Sequence, residues 1–280
     1  MRYKSFIKDM LIDYLKYILL AVFVVITVFP IAWLIIQSFK IEREIISYPP
    51  SFLGTTYTFR SFSRVFETIP MALYLRNTVV FSVGVTVISL LFDSMAGYTF
   101  ARLRFKGRHF IFIIILITMM IPFQVLMIPL FLQCNFLGIL NTFLGLIMPR
   151  MTSAFGIFMM RSYFSQLPKD LEEAARIDGL NEYSIFFRIM LPLVTPGVIT
   201  LGIFHLMGNW NDLLYPLMMT STVRMRTLSA GLALFVGERG TLYYGAQLAG
   251  AFVSMLPLLI LYVFFQKYFV VSIANTGLKD

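Results

Sequence analysis

Long apolar stretches separated by short polar gaps run along the whole chain. A helix needs about 20 apolar residues to cross a hydrocarbon core. Six stretches reach that length: 17–36, 77–98, 110–132, 141–160, 194–218 and 245–265. The pattern predicts an all-α polytopic membrane protein with six transmembrane helices. Residues 1–16 form a short basic terminus with Arg2, Lys4, Lys8 and Lys16, the membrane domain covers 17–268, and 269–280 form a tail. The basic start resembles the flank of a signal sequence. The first apolar stretch is longer than a typical signal core, however, and no small-x-small cleavage site follows, so it is expected to remain as an uncleaved span.

Composition supports the same class. The chain is 59% hydrophobic and 13% charged, where soluble domains carry about 25% charged residues. Such a chain cannot hide its apolar surface in one aqueous core. The net charge of +9 sits beside apolar spans as orientation signals, and no soluble basic domain is present to bind nucleic acid. Cys134 stands alone, which excludes an intramolecular disulfide and a multi-cysteine metal site.

Arg102, Arg104, Lys106 and Arg108 crowd the gap between the second and third stretches without an acid, whereas 133–140 carries no charge. Lysine and arginine accumulate on the cytoplasmic side, so the basic gap and both termini are expected there. The first outer loop, 37–76, pulls the other way, with Lys40, Arg43, Arg60, Arg64 and Arg76 against Glu42, Glu44 and Glu67. Loops of that length weigh less in the rule.

Pro122, Gln124 and Pro129 interrupt the third stretch, and Asn209, Asn211, Asp212 and Pro216 fall in the fifth. Backbone groups freed by proline need partners, so these helices are expected to face protein or a water-filled cavity. Asp93, Arg150, His205 and Asp212 lie at or near membrane depth, where ionisable groups are costly unless they face such an interior. No span-by-span repeat suggests two inverted halves.

The largest cytoplasmic segment, 161–191, predicts a short helix opening near Pro168 and closing before Gly179. Asp170, Glu172 and Glu173 at its start and Arg176 near its end complement the helix dipole. Tyr183, Phe186, Phe187 and Met190 then recur at helical spacing, as a second amphipathic piece lying on the membrane or against the spans. On these grounds the segment fits either a docking surface or a plain connector.

Glu173-Ala174-Ala175-Arg176-Ile177-Asp178-Gly179, nine further residues and Ile189-Met190-Leu191-Pro192 match E-A-A-x3-G-x9-I-x-L-P at every defining position. The chain thereby resembles permease subunits of bacterial ABC importers, most nearly the MalG-like carbohydrate-uptake group. Arg76-Asn77-Thr78 and Trp210-Asn211-Asp212-Leu213-Leu214-Tyr215-Pro216 support the resemblance. It implies the type I importer (MetI-like) permease fold in a bacterial inner membrane and a sugar or oligosaccharide cargo. The partners it implies are a second permease, a cytoplasmic ABC ATPase dimer and an extracytoplasmic solute-binding protein, with lipid around the spans. No G-x-x-x-x-G-K-[ST] loop occurs, so the chain is expected to bind no cofactor and catalyse nothing, ATP and Mg being held by the partner ATPase.

The resemblance assigns coupling to Glu173, Ala174, Ala175 and Gly179. Glu173 would meet a basic or polar group on the ATPase, the alanines would permit close approach, and Gly179 would turn the chain. Sugars are held by stacking and hydrogen bonds, which makes Asn209, Trp210, Asn211, Asp212 and Tyr215 candidates for the translocation path, although tryptophan and tyrosine also serve as interfacial anchors. His205 reads as a packed residue, and Arg150 as an outer-mouth residue or a partner for an anionic substrate. The ending Asn275-Thr276-Gly277-Leu278-Lys279-Asp280 departs from the family's commonest Gly-Ala-Val-Lys-Gly, and fits an ATPase contact or a frayed end. Alternatives are an importer permease for a non-sugar solute, a secondary carrier, which leaves the motif unexplained, and a membrane enzyme, for which no H-E-x-x-H or cysteine–histidine pair exists.

Overall fold

The computed structural model describes residues 2–235 and 243–277, with side chains for 13–234 and 243–266. Among the described residues the regular elements are helices, with one isolated bridge between Lys40 and Tyr57. In chain order they are α1 (Arg2–Ser38), α2 (Glu42–Ile45), α3 (Arg60–Thr68), α4 (Met71–Arg102), α5 (Arg108–Thr118), α6 (Phe123–Phe136), α7 (Phe143–Ile147) and α8 (Ala154–Ser165). There follow α9 (Asp170–Ile177), α10 (Glu182–Ile185), α11 (Leu191–Leu193), α12 (Thr195–Trp210), α13 (Leu214–Met219), α14 (Leu228–Phe235) and α15 (Tyr244–Gly277). A 3-10 turn, Met148–Arg150, extends α7, and a π-helical turn, Phe186–Met190, joins α10 to α11.

Three helices are long and apolar enough to cross a membrane unbroken: Asp13–Ser38 in α1, α4, and Tyr244–Gln266 in α15. Three bent pairs complete the six predicted crossings: α5–α6 at 99°, Phe143–Arg150 with α8 at 47°, and Glu182–Leu193 with α12 at 81°. Proline places two of the bends. Pro122 is the N-cap of α6 and has no N–H with which to prolong α5. At the third bend Pro196 cannot donate to the carbonyl of Pro192, and the Thr195 hydroxyl takes that carbonyl instead (2.6 Å). Two expectations shift. The long helix of the fifth crossing, α12, ends at Trp210 rather than near 218, while α6 continues through Pro129.

Contacts divide the chain into two compact units, Met1–Pro70 with Leu234–Leu256, and Met71–Ala233 with Pro257–Asp280. In the first, the described apolar side chains of α1 are exposed nearly all round from Tyr14 to Phe29, as expected of a helix whose solvent is lipid. The loop after it is built rather than loose. Lys40 is fully buried and donates to the Ser51 carbonyl (2.5 Å) and hydroxyl (3.1 Å), and Glu42 accepts the N–H groups of Tyr244 (2.7 Å) and Gly245 (3.1 Å) that open α15. Arg64 lies 4.0 Å over the Tyr243 ring. These loop charges therefore hold structure together.

The Thr55 hydroxyl and the Thr55 and Thr56 amides hold the Glu44 carboxyl below the usual carboxylate range. A carboxyl with a lowered folded pKa contributes stability above its unfolded pKa and loses it as pH falls through the folded value. Amide protection at Thr55 should therefore persist through the ordinary carboxylate range of about pH 4 to 5 and fade below it. Glu44→Ala, which removes the acceptor of the Thr55 amide, should abolish that protection at neutral pH. Hydrogen exchange corrected for intrinsic rates checks both, and equal protection in the variant would refute the assignment.

In the second unit α4 packs on α8 and α12. Gly97 permits a close helix–helix approach, since a Cβ there would meet the Cβ of Met160 at 2.6 Å and the amide nitrogen of Arg161 at 2.8 Å. The buried hydroxyls of Thr78, Ser82 and Thr86 donate to carbonyls one turn back, satisfying themselves within α4. Asn77 donates to the carbonyls of Arg224 (2.8 Å) and Arg226 (3.0 Å), and Thr78 accepts the N–H of Leu228 (2.7 Å). α4 thus anchors the segment before α14.

Candidate functional site

The sequence between α8 and α12 folds into a compact corner. α9 carries Asp170, Glu172 and Glu173 in its first turn and Arg176 in its last, both favourable to the dipole. It closes with a Schellman pair: Gly179 N–H to the Arg176 carbonyl (3.1 Å) and Leu180 N–H to the Ala175 carbonyl (3.0 Å). Gly179 adopts φ +82°, the left-handed conformation that this closure requires. Asn181 then caps α10 by accepting the Ser184 N–H (2.9 Å).

The turn of α9 splits the expected coupling residues. Glu173, Ala174 and Gly179 are exposed, and the Glu173 carboxylate makes no hydrogen bond or ion pair among the described residues. Ala175 is buried in this chain's own core with Tyr98, Phe164, Phe186, Met190 and Leu201. Its small size therefore permits close approach by its own fold rather than by a partner. Helical geometry is the reason, because residues three apart share a face: 172 and 175 turn inward while 173, 174 and 177 turn outward. Ile177, which the sequence reading did not single out, is 86% exposed and supplies the apolar part of that outward face. The second amphipathic piece rests against the spans through Phe186 and Met190, and leaves Tyr183 and Phe187 outside.

On the inner face of α9 a polar ring begins and ends on α4. Arg102 donates through Nε to Glu172 (2.6 Å). Arg176 lies 3.8 Å from Glu172 and donates to Glu182 (2.8 Å), which accepts the Tyr98 hydroxyl (2.9 Å). The hydrogen bond to Glu182 raises the pKa of Arg176 above its ordinary value, so the ring keeps its cation. An open cleft of about 730 Å³ lies between α9 and the α4–α5 gap, walled by Arg102, Arg104, Arg108, Lys169, Glu173 and Glu182 among others. Of this ring, only the Glu172–Arg176 spacing of four was readable beforehand. Arg102 is 70 residues from Glu172 and left no local signal.

Within the spans the structure gathers the scattered ionisable residues. Asp93, fully buried on α4, accepts the Thr152 hydroxyl (2.7 Å), the Ser153 N–H (2.9 Å) and the Ser153 hydroxyl (3.1 Å), and lies 3.0 Å from His205 Nε2. Asn209 donates to the His205 carbonyl (2.7 Å) and accepts from Arg150 (2.8 Å). Arg150 also pairs with Asp212 and lies 4.3 Å over the Tyr215 ring. The Arg150 charge is thus balanced inside the chain, which removes the reason to assign it to an anionic substrate.

The candidate path residues divide in the same way. Asn209 and Trp210 are buried, and Tyr215 is fully buried with its hydroxyl donated to the Gly145 carbonyl (2.6 Å). These three are packed inside the subunit and face no open space in this conformation. Asn211 is exposed and Asp212 half-buried. In the tail, α15 reaches Gly277, while Leu278, Lys279 and Asp280 lie outside the described residues.

Comparison with known proteins agrees with this architecture. Residues 93–274 match the family described as binding-protein-dependent transport system inner membrane component. The arabinooligosaccharides transport system permease protein AraQ of Halalkalibacterium halodurans is 38% identical over 257 residues, covering 91% of this chain and 92% of that protein. The trehalose/maltose transport system permease protein MalG of Thermococcus litoralis is 34% identical over 264 residues, covering 91% and 92%. A chain in the crystal structure of a bacterial ABC transporter that imports the acidic polysaccharide alginate superposes with a TM-score of 0.82 at 26% identity, covering 94% of this chain and 98% of that one.

Proposed function

We infer that this chain, which belongs to the family of binding-protein-dependent transport system inner membrane components, is a permease subunit of an ATP-binding-cassette importer for a sugar or oligosaccharide. One observation carries the reading: the acidic helix α9 presents Glu173, Ala174 and Ile177 outward and ends in the Gly179 turn, in a chain that matches an oligosaccharide permease along almost its whole length. Two relatives are named for arabinooligosaccharides and for trehalose and maltose, which supports a sugar cargo here.

In this reading the subunit spans a bacterial inner membrane with both termini and α9 in the cytoplasm. It lines the path together with a second permease, and Asn211 and Asp212 are its own candidates for that path. A cytoplasmic ATPase dimer holds ATP and Mg and receives Glu173, Ala174 and Gly179, while an external solute-binding protein delivers cargo. ATP closes the dimer, α9 moves with it, and the bundle changes the side to which its cavity opens. A nearly complete switch requires ATP to favour one arrangement by about 5.5 kcal/mol.

Co-purification from the native membrane with mass spectrometry tests the reading. A second multi-span permease and an ATPase are expected in stoichiometric amounts. Recovery of the chain alone, still moving sugar into vesicles without ATP, would replace the importer with a secondary carrier.

A further inference from the structure

We propose that Arg102 straps the docking helix α9 to the end of α4, so that displacement imposed on α9 is delivered to α4 and the helices packed on it. The proposal rests on the importer reading above and adds the route by which the stroke enters the membrane domain.

Four of the five N–H groups of the Arg102 guanidinium find acceptors. Its Nε holds Glu172 at 2.6 Å, its Nη1 reaches the Leu167 and Phe164 carbonyls at 3.0 and 3.4 Å, and its Nη2 reaches the Pro168 carbonyl at 2.9 Å. One side chain of α4 thereby grips the end of α8, the turn before α9, and α9 itself. The Arg102 and Glu172 side chains are only 4% and 5% exposed, so salt screens this pair far less than a surface pair. The rigid fork of arginine fits such a multiple grip, which the point charge of lysine cannot reproduce.

A second tie lies one helical turn earlier. Tyr98 and Arg102 are four apart and share a face of α4. Tyr98 holds Glu182 on α10, and Arg176 joins Glu182 to α9. Two ties one turn apart resist rotation as well as translation. The chain's own connections to this corner are a turn and a bend: the Gln166–Lys169 turn precedes α9, and an 81° break follows α11. Without the strap a push on α9 would be absorbed there. With it the push reaches α4, on which α8 and α12 pack. Arg102 is therefore a positioning residue that acts through α9.

The test uses the co-purified complex in lipid nanodiscs, with spin labels at Asp170→Cys in the first turn of α9 and Val87→Cys on the exposed face of α4. Distances are compared without nucleotide and after trapping with ATP, Mg and vanadate. In the otherwise native chain the distance should stay constant to within about 1–2 Å, the scale of ordinary helix adjustment, while in Arg102→Ala trapping should change it by about one helical turn, roughly 5 Å. Arg102→Lys, which keeps the charge but loses the fork, should fall between. A trapping-dependent distance in the native chain overturns the strap, and so does a constant or equally broadened distance in both nucleotide states of Arg102→Ala. Should Arg102→Ala not assemble, the native chain and Arg102→Lys decide alone. A complex without an ATPase overturns the importer reading and the strap with it, and is recognised by the absence of ATP hydrolysis before any label is read.

Discussion

Gly179→Val should abolish most coupled uptake while leaving the subunit inserted in the membrane. The cause is backbone strain. No atom lies within 4 Å of a Cβ built at Gly179, so the site has room for a side chain, yet its φ of +82° belongs to the left-handed region. An ordinary residue pays roughly 1–2 kcal/mol there, and a β-branched one is a genuine outlier. Relief comes by breaking the two Schellman hydrogen bonds, which frees α9 from α10 and loses the orientation of Glu173 and Ala174. At about 1.4 kcal/mol per tenfold, a loss of tenfold or more in uptake is expected. The series Gly179→Asn, Gly179→Ala, Gly179→Val separates strain from contact. Asparagine tolerates the left-handed conformation and is larger than alanine, so uptake should fall in the order Asn, Ala, Val if strain rules. If crowding against the ATPase rules instead, alanine should be the mildest. Normal uptake and normal ATP hydrolysis in Gly179→Val would remove this residue from the coupling machinery altogether.

That left-handed glycine was legible from sequence, and so was most of what depends on local pattern. Hydropathy alone counts the crossings, and Pro122 marks the sharpest bend because a missing N–H acts on its own helix. What one segment does to another left no such trace. Ala174 and Ala175 are indistinguishable as letters, and only the phase of α9 against the spans sends one outward and one inward. Trp210 and Tyr215 looked like sugar-stacking residues, yet they are sealed inside the subunit, because burial of an aromatic ring depends on what packs over it. Asp93, Arg150, His205 and Asp212 were each identifiable as costly at membrane depth. Their partners lie up to 112 residues away, and no spacing rule spans that distance. The need for compensation was readable; its identity required the fold.

The node around Asp93 gives the second large effect. Asp93 is the acceptor at the bend in the fourth crossing, where Thr152 and Ser153 leave helical geometry before α8 begins. Asp93→Ala would leave the Thr152 hydroxyl, the Ser153 amide and hydroxyl, and His205 without their shared buried acceptor. Removing one member of a buried, charge-bearing set costs about 3–5 kcal/mol, a large part of the 5–15 kcal/mol that holds a typical domain folded. Asp93→Asn is different. Its carbonyl still accepts from Thr152 and Ser153, and its amide can donate to the Ser153 hydroxyl and to a neutral His205 whose proton sits on Nδ1. Stability should therefore survive in the asparagine variant, within about 1–2 kcal/mol, if hydrogen bonding rather than charge is what the site requires. An independent route to the same lesion comes from α8. A Cβ at Gly156 would lie 1.9 Å from Asp93 Oδ2, so Gly156→Ala must expel the carboxylate and should behave like Asp93→Ala, although it removes no polar group. Thermal unfolding of the purified subunit, followed by loss of monodisperse protein in detergent, ranks the three. Asp93→Ala and Gly156→Ala falling together, with Asp93→Asn near wild type, identifies the node as the clasp of the fourth crossing. Stability of Gly156→Ala equal to wild type would mean that the carboxylate can leave without cost, and that the bend is held elsewhere.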